Sequence, residues 1–109
     1  MRRLFLRDLA SGWQFWCADR DGFPIGTLAA LSLDGVTQLA NISTVPAARR
    51  QGVASALMRH ALDRAAAAGD RLVYLHAATG SAAERLYRRL GFQSLDHWMT
   101  YVHDPFPLG

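Results

Sequence analysis

The chain has 109 residues and 12 cationic side chains, all of them arginine, against nine carboxylates, so its formal net charge is +3. This length fits one small domain, and a hydrophobic content of 50% is too high for a disordered chain. The longest stretch without a charge, residues 35–48, contains several polar residues, so no segment offers the roughly 18 apolar residues of a membrane-spanning helix.

The first half of the chain has the pattern of three consecutive strands. Hydrophobic segments bounded by turn residues predict strands at 13–18, 25–33 and 36–45. Asp21-Gly22 and Asp34-Gly35 are strong signals for tight reverse turns between neighbouring strands. Pro46 lacks a backbone N–H and ends the third strand. We therefore expect an antiparallel meander of three strands.

The hydrophobic period changes to that of a helix after Gly52. Apolar residues spaced three and four apart predict an amphipathic helix from Val53 to Ala68, and Gly69 stands where a helix-terminating glycine belongs. The next segment, 72–77, predicts a short strand with Val73 and Leu75 on one face. A strand after a helix implies a crossover connection.

A second, shorter helix follows. Ser81 and Glu84 have the spacing of a capping box, and Gly91 ends the stripe of apolar residues that follows. Residues 92–102 predict one further strand or a hairpin, and two prolines make 104–109 an irregular tail. We expect a single compact domain of residues 1–109, with 1–10 as a lead-in. The order β-β-β-α-β-α-β gives an α+β fold, an α/β sandwich around one sheet.

The segment 45–54 joins the third strand to the first helix and has the features of an anion site. The first amides of a helix lack intrahelical acceptors and carry the positive end of the helix dipole, and Gly52 and Ala54 leave room for a phosphate. The motif G-x-x-x-x-G-K-S/T is excluded because the chain has no lysine, and G-x-G-x-x-G is absent too. The adjacent pairs Arg49-Arg50 and Arg88-Arg89 favour a small polyanionic ligand over a nucleic acid.

Two motifs resemble those of the GCN5-related N-acetyltransferase (GNAT) superfamily. The string 49–54, Arg-Arg-Gln-Gly-Val-Ala, matches the pyrophosphate-binding signature Q/R-x-x-G-x-G/A, and the string 86–92, Leu-Tyr-Arg-Arg-Leu-Gly-Phe, matches a later family element. Their order and separation agree with the family, and the resemblance covers about residues 11–103. It implies the acyl-CoA N-acyltransferase fold with a mixed central sheet.

The resemblance also implies roles for individual residues. Main-chain amides of Arg50, Gln51, Gly52, Val53, Ala54 and Ser55 would hold the pyrophosphate of acetyl-CoA as cosubstrate. The backbone of Ile42 and Thr44 would pair with the pantetheine arm, and an amide near Thr44 would stabilise the oxyanion. Tyr87 corresponds to the tyrosine acid that protonates the departing coenzyme A thiolate, although a plain core aromatic stays an alternative. His76 is the best titratable candidate for the general base.

The chain departs from the family pattern at its start and at Gly80, where the family often has asparagine. The usual first strand and two helices, which form much of the acceptor pocket, are missing or replaced by residues 1–10. Three explanations stay open: a compact enzyme whose dimer partner completes the pocket, a fragment, or a module that binds coenzyme A without catalysis. The sheet edge left by a missing strand favours a homodimer.

The expected activity is transfer of the acetyl group of acetyl-CoA to a primary amine of a small molecule, amino acid or peptide. Arg7 and Asp8 interrupt the apolar region that a signal peptide needs, so we expect a cytoplasmic protein without a membrane or nucleic-acid partner. Cys17 is the only cysteine. It is expected to be a buried structural thiol, which leaves neither an internal disulfide nor a metal site.

Overall fold

A computed structural model describes residues 2–7, 12–77, 80–94 and 100–103, the first and last of these ranges by their backbone alone. The elements in chain order are β1 (Arg2–Arg7), β2 (Gln14–Arg20), β3 (Phe23–Leu33), β4 (Val36–Thr44), α1 (Val53–Ala67), β5 (Leu72–His76), α2 (Ala82–Arg89), β6 (Gln93–Ser94) and β7 (Thr100–His103). A single turn of 3-10 helix, Pro46–Ala48, lies between β4 and α1.

The described strands form one seven-stranded sheet in the order β1-β2-β3-β4-β5-β7-β6. Neighbours from β1 to β4 are antiparallel, β4 and β5 are parallel, and β7 is antiparallel to both β5 and β6. The helix α1 makes the crossover between the two parallel strands, as predicted. This arrangement confirms the predicted mixed sheet and α+β class.

The strand β1 is a correction to the predicted element order. Residues 1–10 are expected to be a lead-in, yet Arg2–Arg7 pairs with β2 along its whole length, from Arg2 opposite Asp19 to Arg7 opposite Gln14. Three apolar residues flanked by arginines are too few to show a strand period. A first strand therefore does precede the meander. β1 covers the edge of β2, so the outer edge on this side of the described sheet is β1 itself, and a homodimer stays a prediction.

The core lies between α1 and one face of the sheet. α1 contacts β2, β3 and β4, and the largest fully buried side chains of the described residues are Leu28, Leu39, Leu57, Met58, Val73 and Leu75. Alternation along β5 is as predicted, with Val73 and Leu75 in the core, Tyr74 half-buried and His76 exposed. Burial of these side chains holds α1 against the strands that carry the site.

The predicted start of α2 and the predicted end of α1 are both found in the structure. The hydroxyl of Ser81 accepts a hydrogen bond from the Glu84 amide at 3.1 Å, which caps α2. Gly69 follows α1 in the left-handed region, with φ of 81°, and its amide donates to the carbonyl of Ala66. The two turn pairs, Asp21-Gly22 and Asp34-Gly35, also have positive φ throughout, as tight hairpins require.

The last predicted strand region forms a hairpin. Gln93 lies opposite Val102 and Ser94 opposite Tyr101 in the antiparallel pair of β6 and β7. The predicted irregular tail, 104–109, and residues 95–99 lie outside the described residues. In the part of the chain that is described, no helix is long and apolar enough to cross a membrane.

Candidate functional site

The strands β4 and β5 pair over a short distance only. Val36–Gln38 lies opposite Leu72–Tyr74, and beyond these residues the register between the two strands ends. β4 continues to Thr44, six residues past the last paired position. The backbone of this end of β4 therefore faces a gap in the sheet, where an extended ligand could pair with it.

A β-bulge turns this same end of β4. Thr27 lies opposite Ser43 and Ala29 opposite Ala40, so β4 carries one more residue than β3 over this interval. Asn41 takes the left-handed conformation, with φ of 51°, that such an extra residue commonly needs. The bulge re-aims the backbone of Ile42–Thr44, which lies along the gap.

The loop from β4 into α1 presents unpaired amides. Gly52 precedes α1 with φ of 78° and ψ of 13°, and no side chain caps the helix start. The first intrahelical bond runs from the Ala56 amide to the Gly52 carbonyl at 2.9 Å, so the amides of Val53, Ala54 and Ser55 have no acceptor within the helix. Since the first turn also has no acidic residue, these amides form a cradle for an anion, which we name the amide cradle (residues 52–55).

A cleft of about 820 Å³ lies between the end of β4, the amide cradle and α2. Its lining residues are Ile42, Ser43, Thr44, Ala48, Arg49, Arg50, Gly52, Val53, Ala54, Ser55, Ala82, Ala83, Leu86, Tyr87 and Arg89. This volume lies in the range of ligand-binding clefts in proteins. Apolar residues of α2 form one wall, and the polar loop before α1 forms the other.

The charge of the cleft is positive. Arg49, Arg50 and Arg89 line it, and none of its described lining residues is a carboxylate. The Nε of Arg49 donates to the Thr44 carbonyl at 3.3 Å, which ties the loop to the end of β4. Arg88 points elsewhere and forms an ion pair with Glu84, one turn earlier on α2, at 3.7 Å. The cleft therefore attracts anions through both the guanidinium groups and the helix dipole.

Tyr87 is the titratable residue that reaches the cleft from α2. It is 6% exposed, and its ring lies 6.0 Å from that of Phe92 at an angle of 60°. Burial raises the pKa of the Tyr87 phenol above its usual value of 10.0, because a phenolate is poorly solvated there. At neutral pH the side chain is therefore a neutral hydrogen-bond donor.

Most of the predicted site residues meet in this one cleft. Those that line it are Ile42, Thr44, Arg50, Gly52, Val53, Ala54, Ser55 and Tyr87. The side chain of Gln51 turns back instead and donates from Nε2 to the Ala47 carbonyl at 3.3 Å, which braces the loop. His76 is exposed, packs edge-on against Tyr74 at 5.9 Å and does not line the cleft.

Sequence reasoning missed part of the α2 wall. Ala82 lies four residues before Leu86, and Ala83 lies four residues before Tyr87, a spacing that places the members of each pair next to each other on the helix surface. The two arginine pairs of the sequence did indicate the position of a positively charged site, since Arg49, Arg50 and Arg89 all line the cleft. One signal in the sequence does separate Arg89 from Arg88, because Glu84 lies four residues before Arg88, the spacing of an ion pair on a helix.

Residues that could bind a metal ion are dispersed in the part of the chain that the structure describes. No three of its histidine, cysteine or carboxylate side chains lie where they could share a metal ion. Cys17 is half-buried in β2, whereas the sequence predicts a buried structural thiol.

Comparison with known proteins identifies relatives. A family model described as "Acetyltransferase (GNAT) domain" matches residues 11–94. The chain is 36% identical over 59 residues to the protein named GCN5-related N-acetyltransferase 6, chloroplastic, from Arabidopsis thaliana. That alignment covers 53% of this chain and only 20% of the plant protein, so the chain spans a small part of the length of this relative.

Solved structures share the fold. The IAA acetyltransferase from Bacillus cereus superimposes with a TM-score of 0.77 at 17% identity, over 86% of this chain and 79% of that chain. A GNAT family acetyltransferase from Brucella melitensis, solved in complex with acetyl-CoA, superimposes with a TM-score of 0.69 at 25% identity, over 86% of this chain and 59% of that chain.

Proposed function

The chain belongs to the GNAT acetyltransferase family, and on that premise we propose that it is an N-acetyltransferase that uses acetyl-CoA. The acceptor would be a primary amine of a small molecule, an amino acid or a peptide. The observation that carries the proposal is the single cleft that joins a free strand edge, an amide cradle and Tyr87. Each of these three parts fits a different portion of acetyl-CoA.

The phosphate end of acetyl-CoA fits the positive end of the cleft. A pyrophosphate would accept hydrogen bonds from the amides of Val53, Ala54 and Ser55 at the start of α1. Gly52 adds no side chain there, and an added Cβ would meet no atom within 4 Å. The guanidinium groups of Arg50 and Arg89 would neutralise further phosphate charge from opposite walls.

The pantetheine arm fits the free edge of β4. Its amide groups would pair with the main chain of Ile42 and Thr44, in the gap where β5 no longer pairs. The bulge at Asn41 aims this backbone into the cleft. Such an arrangement would lead the thioester from the cradle toward the inner wall formed by α2.

Acetyl-CoA supplies a thioester whose carbonyl carbon is attacked by the amine nitrogen. An amide near Thr44 would stabilise the negative charge that develops on the carbonyl oxygen. As the carbon–sulfur bond breaks, the Tyr87 hydroxyl would donate its proton to the leaving sulfur, and the phenol would regain a proton from solvent. Because burial raises the pKa of Tyr87 further above neutral pH, its hydroxyl carries this proton in the resting protein.

The proton of the attacking amine needs a separate acceptor. No carboxylate or histidine is among the described residues that line the cleft, and His76 lies outside it. We infer that the acceptor enters as the free amine or passes its proton to water. An acceptor whose amine has a low pKa would then be favoured at neutral pH.

The proposal is tested by calorimetric titration with acetyl-CoA and two variants of one residue. Ala54→Glu places a negative charge at the first turn of α1, where it suits the helix dipole and should not lower stability. Ala54→Gln is the matched neutral control with nearly the same shape. We expect wild-type affinity in the micromolar range, a mild loss in the glutamine variant, and no detectable binding in the folded glutamate variant.

The outcomes separate three readings of the chain. Binding together with turnover on a panel of amines supports the enzyme. Binding without turnover on any amine indicates a module that binds coenzyme A without catalysis. A folded wild-type protein that does not bind acetyl-CoA contradicts the proposal, as does equal binding by the Ala54→Glu variant.

A further inference from the structure

Gly26 lies beneath the first turn of α1, where the helix meets the sheet. It is a buried residue of β3 and lies opposite Thr44, the last residue of β4. Directly beside it, the Val45 amide donates to the Ile25 carbonyl at 2.9 Å, so β3 also holds the loop that leads into α1. This one position touches both halves of the cleft, the strand edge and the helix start.

The space at Gly26 is too small for any side chain. A Cβ built there would lie 2.6 Å from Cγ1 of Val53, 3.2 Å from Cδ1 of Leu57 and 3.2 Å from the Ser43 carbonyl oxygen. Carbon atoms in contact lie about 3.5 to 4.0 Å apart, so the Cγ1 methyl of Val53 would have to move by roughly 1 Å, through a change of its rotamer or a shift of α1. Valine in a helix strongly prefers one rotamer, which favours a shift of α1. Gly26 does not have a positive φ. Glycine is needed here for close approach and not for an unusual backbone conformation.

Val53 connects this packing contact to the candidate site. It is 2% exposed and is the first residue of α1, and it also lines the cleft within the amide cradle. A shift of α1 that relieves the contact at Val53 would also displace the amides of the cradle. Because Ser43 restricts Gly26 from the β4 side, the displacement would change the distance between the cradle and the free strand edge.

We propose that Gly26 is a positioning residue, which sets the depth at which the amide cradle sits against β4 and so matches the cleft to the length of acetyl-CoA. This inference rests on the proposed function. A ligand that binds the cradle and the strand edge together depends on the distance between them, whereas a ligand that binds the cradle alone does not.

The test compares two ligands by calorimetric titration in the full chain. Acetyl-CoA spans both parts, and adenosine 3′-phosphate 5′-diphosphate carries the phosphates of coenzyme A without the pantetheine arm. We expect Gly26→Ala to weaken acetyl-CoA binding by about tenfold or more, with a much smaller loss for the short ligand. The double variant Gly26→Ala with Val53→Ala removes the overlapping methyl groups and should return the affinity to that of Val53→Ala alone.

A control separates positioning from plain instability. Gly35→Ala forces a side chain into a turn with φ of 80°, in the β3–β4 hairpin, and should lower the Tm without changing either affinity. A folded Gly26→Ala variant that binds acetyl-CoA like the wild type contradicts the inference, and so do equal losses for both ligands.

The remaining outcomes are also decisive. If Gly26→Ala does not fold, the double variant is compared with Val53→Ala: equal affinity supports the inference and a tenfold deficit overturns it. If the folded wild type itself does not bind acetyl-CoA, the proposed function fails, and this result is distinct from any failure at Gly26.

Discussion

The hydroxyl of Thr27 on β3 donates a hydrogen bond to the main-chain carbonyl of Asn41 on β4, with Oγ1 and the carbonyl oxygen 3.2 Å apart. A carbonyl can only accept, so the single proton of Thr27 is used here, and Ser43, whose Oγ lies 2.9 Å from the same hydroxyl, must act as the donor to Thr27. These two bonds span the bulge that turns Ile42–Thr44 into the cleft.

The bulge predicts different results for two substitutions of Asn41. Asn41→Val should lower the free energy of unfolding by about 1 to 2 kcal/mol, because a β-branched residue tolerates a φ of 51° poorly. It should also weaken acetyl-CoA binding, since Ile42–Thr44 would turn away from the cleft. Asn41→Gly should stay within about 0.5 kcal/mol of the wild type and keep its affinity. Chemical denaturation and calorimetric titration measure both, and similar behaviour of the two variants would argue against the bulge.

Removing the hydroxyl of Tyr87 should affect the chemical step. In Tyr87→Phe we expect kcat to fall by about 100-fold or more while KM for acetyl-CoA changes little. The ring and its packing against Phe92 are kept, so stability should hardly change. The measurement is the rate of coenzyme A release with the best amine from the panel.

Tyr74 provides the matched control for this experiment. Its hydroxyl donates to Oε1 of Gln38 at 3.2 Å and does not line the cleft. Tyr74→Phe should therefore keep a kcat close to that of the wild type. An unchanged kcat in Tyr87→Phe would leave Tyr87 as a core aromatic without a role as acid.

The raised pKa of Tyr87 also predicts a pH dependence of stability. In the unfolded chain its phenol ionises near pH 10.0, whereas in the folded protein it holds its proton to a higher pH. As the pH rises, the unfolded state therefore loses this proton first. The contribution of the neutral phenol to the free energy of unfolding is fully present below pH 10.0 and is lost as the pH rises above 10.0. The denaturation midpoint is measured at about pH 8 and at about pH 11 for both proteins. Its decrease between these two pH values should be smaller in Tyr87→Phe than in the wild type. An equal fall in both proteins would place the ionisation elsewhere.

The backbone conformation at Arg50 allows the effect of its charge on binding to be separated from the effect of backbone strain on stability. Arg50 has a φ of 63°, in the left-handed region that disfavours side chains. Both Arg50→Gly and Arg50→Ala remove the guanidinium and should weaken acetyl-CoA binding to a similar degree. Only the glycine relieves the strain, so it should be more stable than the alanine variant by about 1 kcal/mol. Thermal unfolding and titration of the two variants check this, and a less stable glycine variant would contradict it.

The neighbouring arginines of α2 should differ in their effect on binding. Arg89 lines the cleft, whereas Arg88 is paired with Glu84. Arg89→Gln should therefore weaken acetyl-CoA binding by about fivefold at low salt, and less as salt screens the charge. Arg88→Gln has the same change in net charge and should stay within about twofold. Equal losses in the two variants would show a general charge effect in place of a site at Arg89.

Local features of the chain could be predicted because they depend on neighbours in sequence. The hairpin turns, the Ser81 cap of α2 and the start of α1 at Gly52 all follow from a few adjacent residues. The amide cradle belongs to this group, since a strand, a small-residue loop and a helix start are contiguous in the chain. The edge strand β1 could not be predicted, because its pairing with β2 and not its own pattern defines it.

The sequence by itself determined the family, the class of fold and the position of the loop that we propose to bind the phosphates. Only the tertiary structure decided which side chains share the cleft: that Arg89 enters it while His76 and Gln51 do not, and that Gly26 supports Val53 from below. These relations depend on where β4 separates from β5 and how closely α1 approaches the sheet. Such distances are set by packing between residues far apart in the chain, and no local pattern records them.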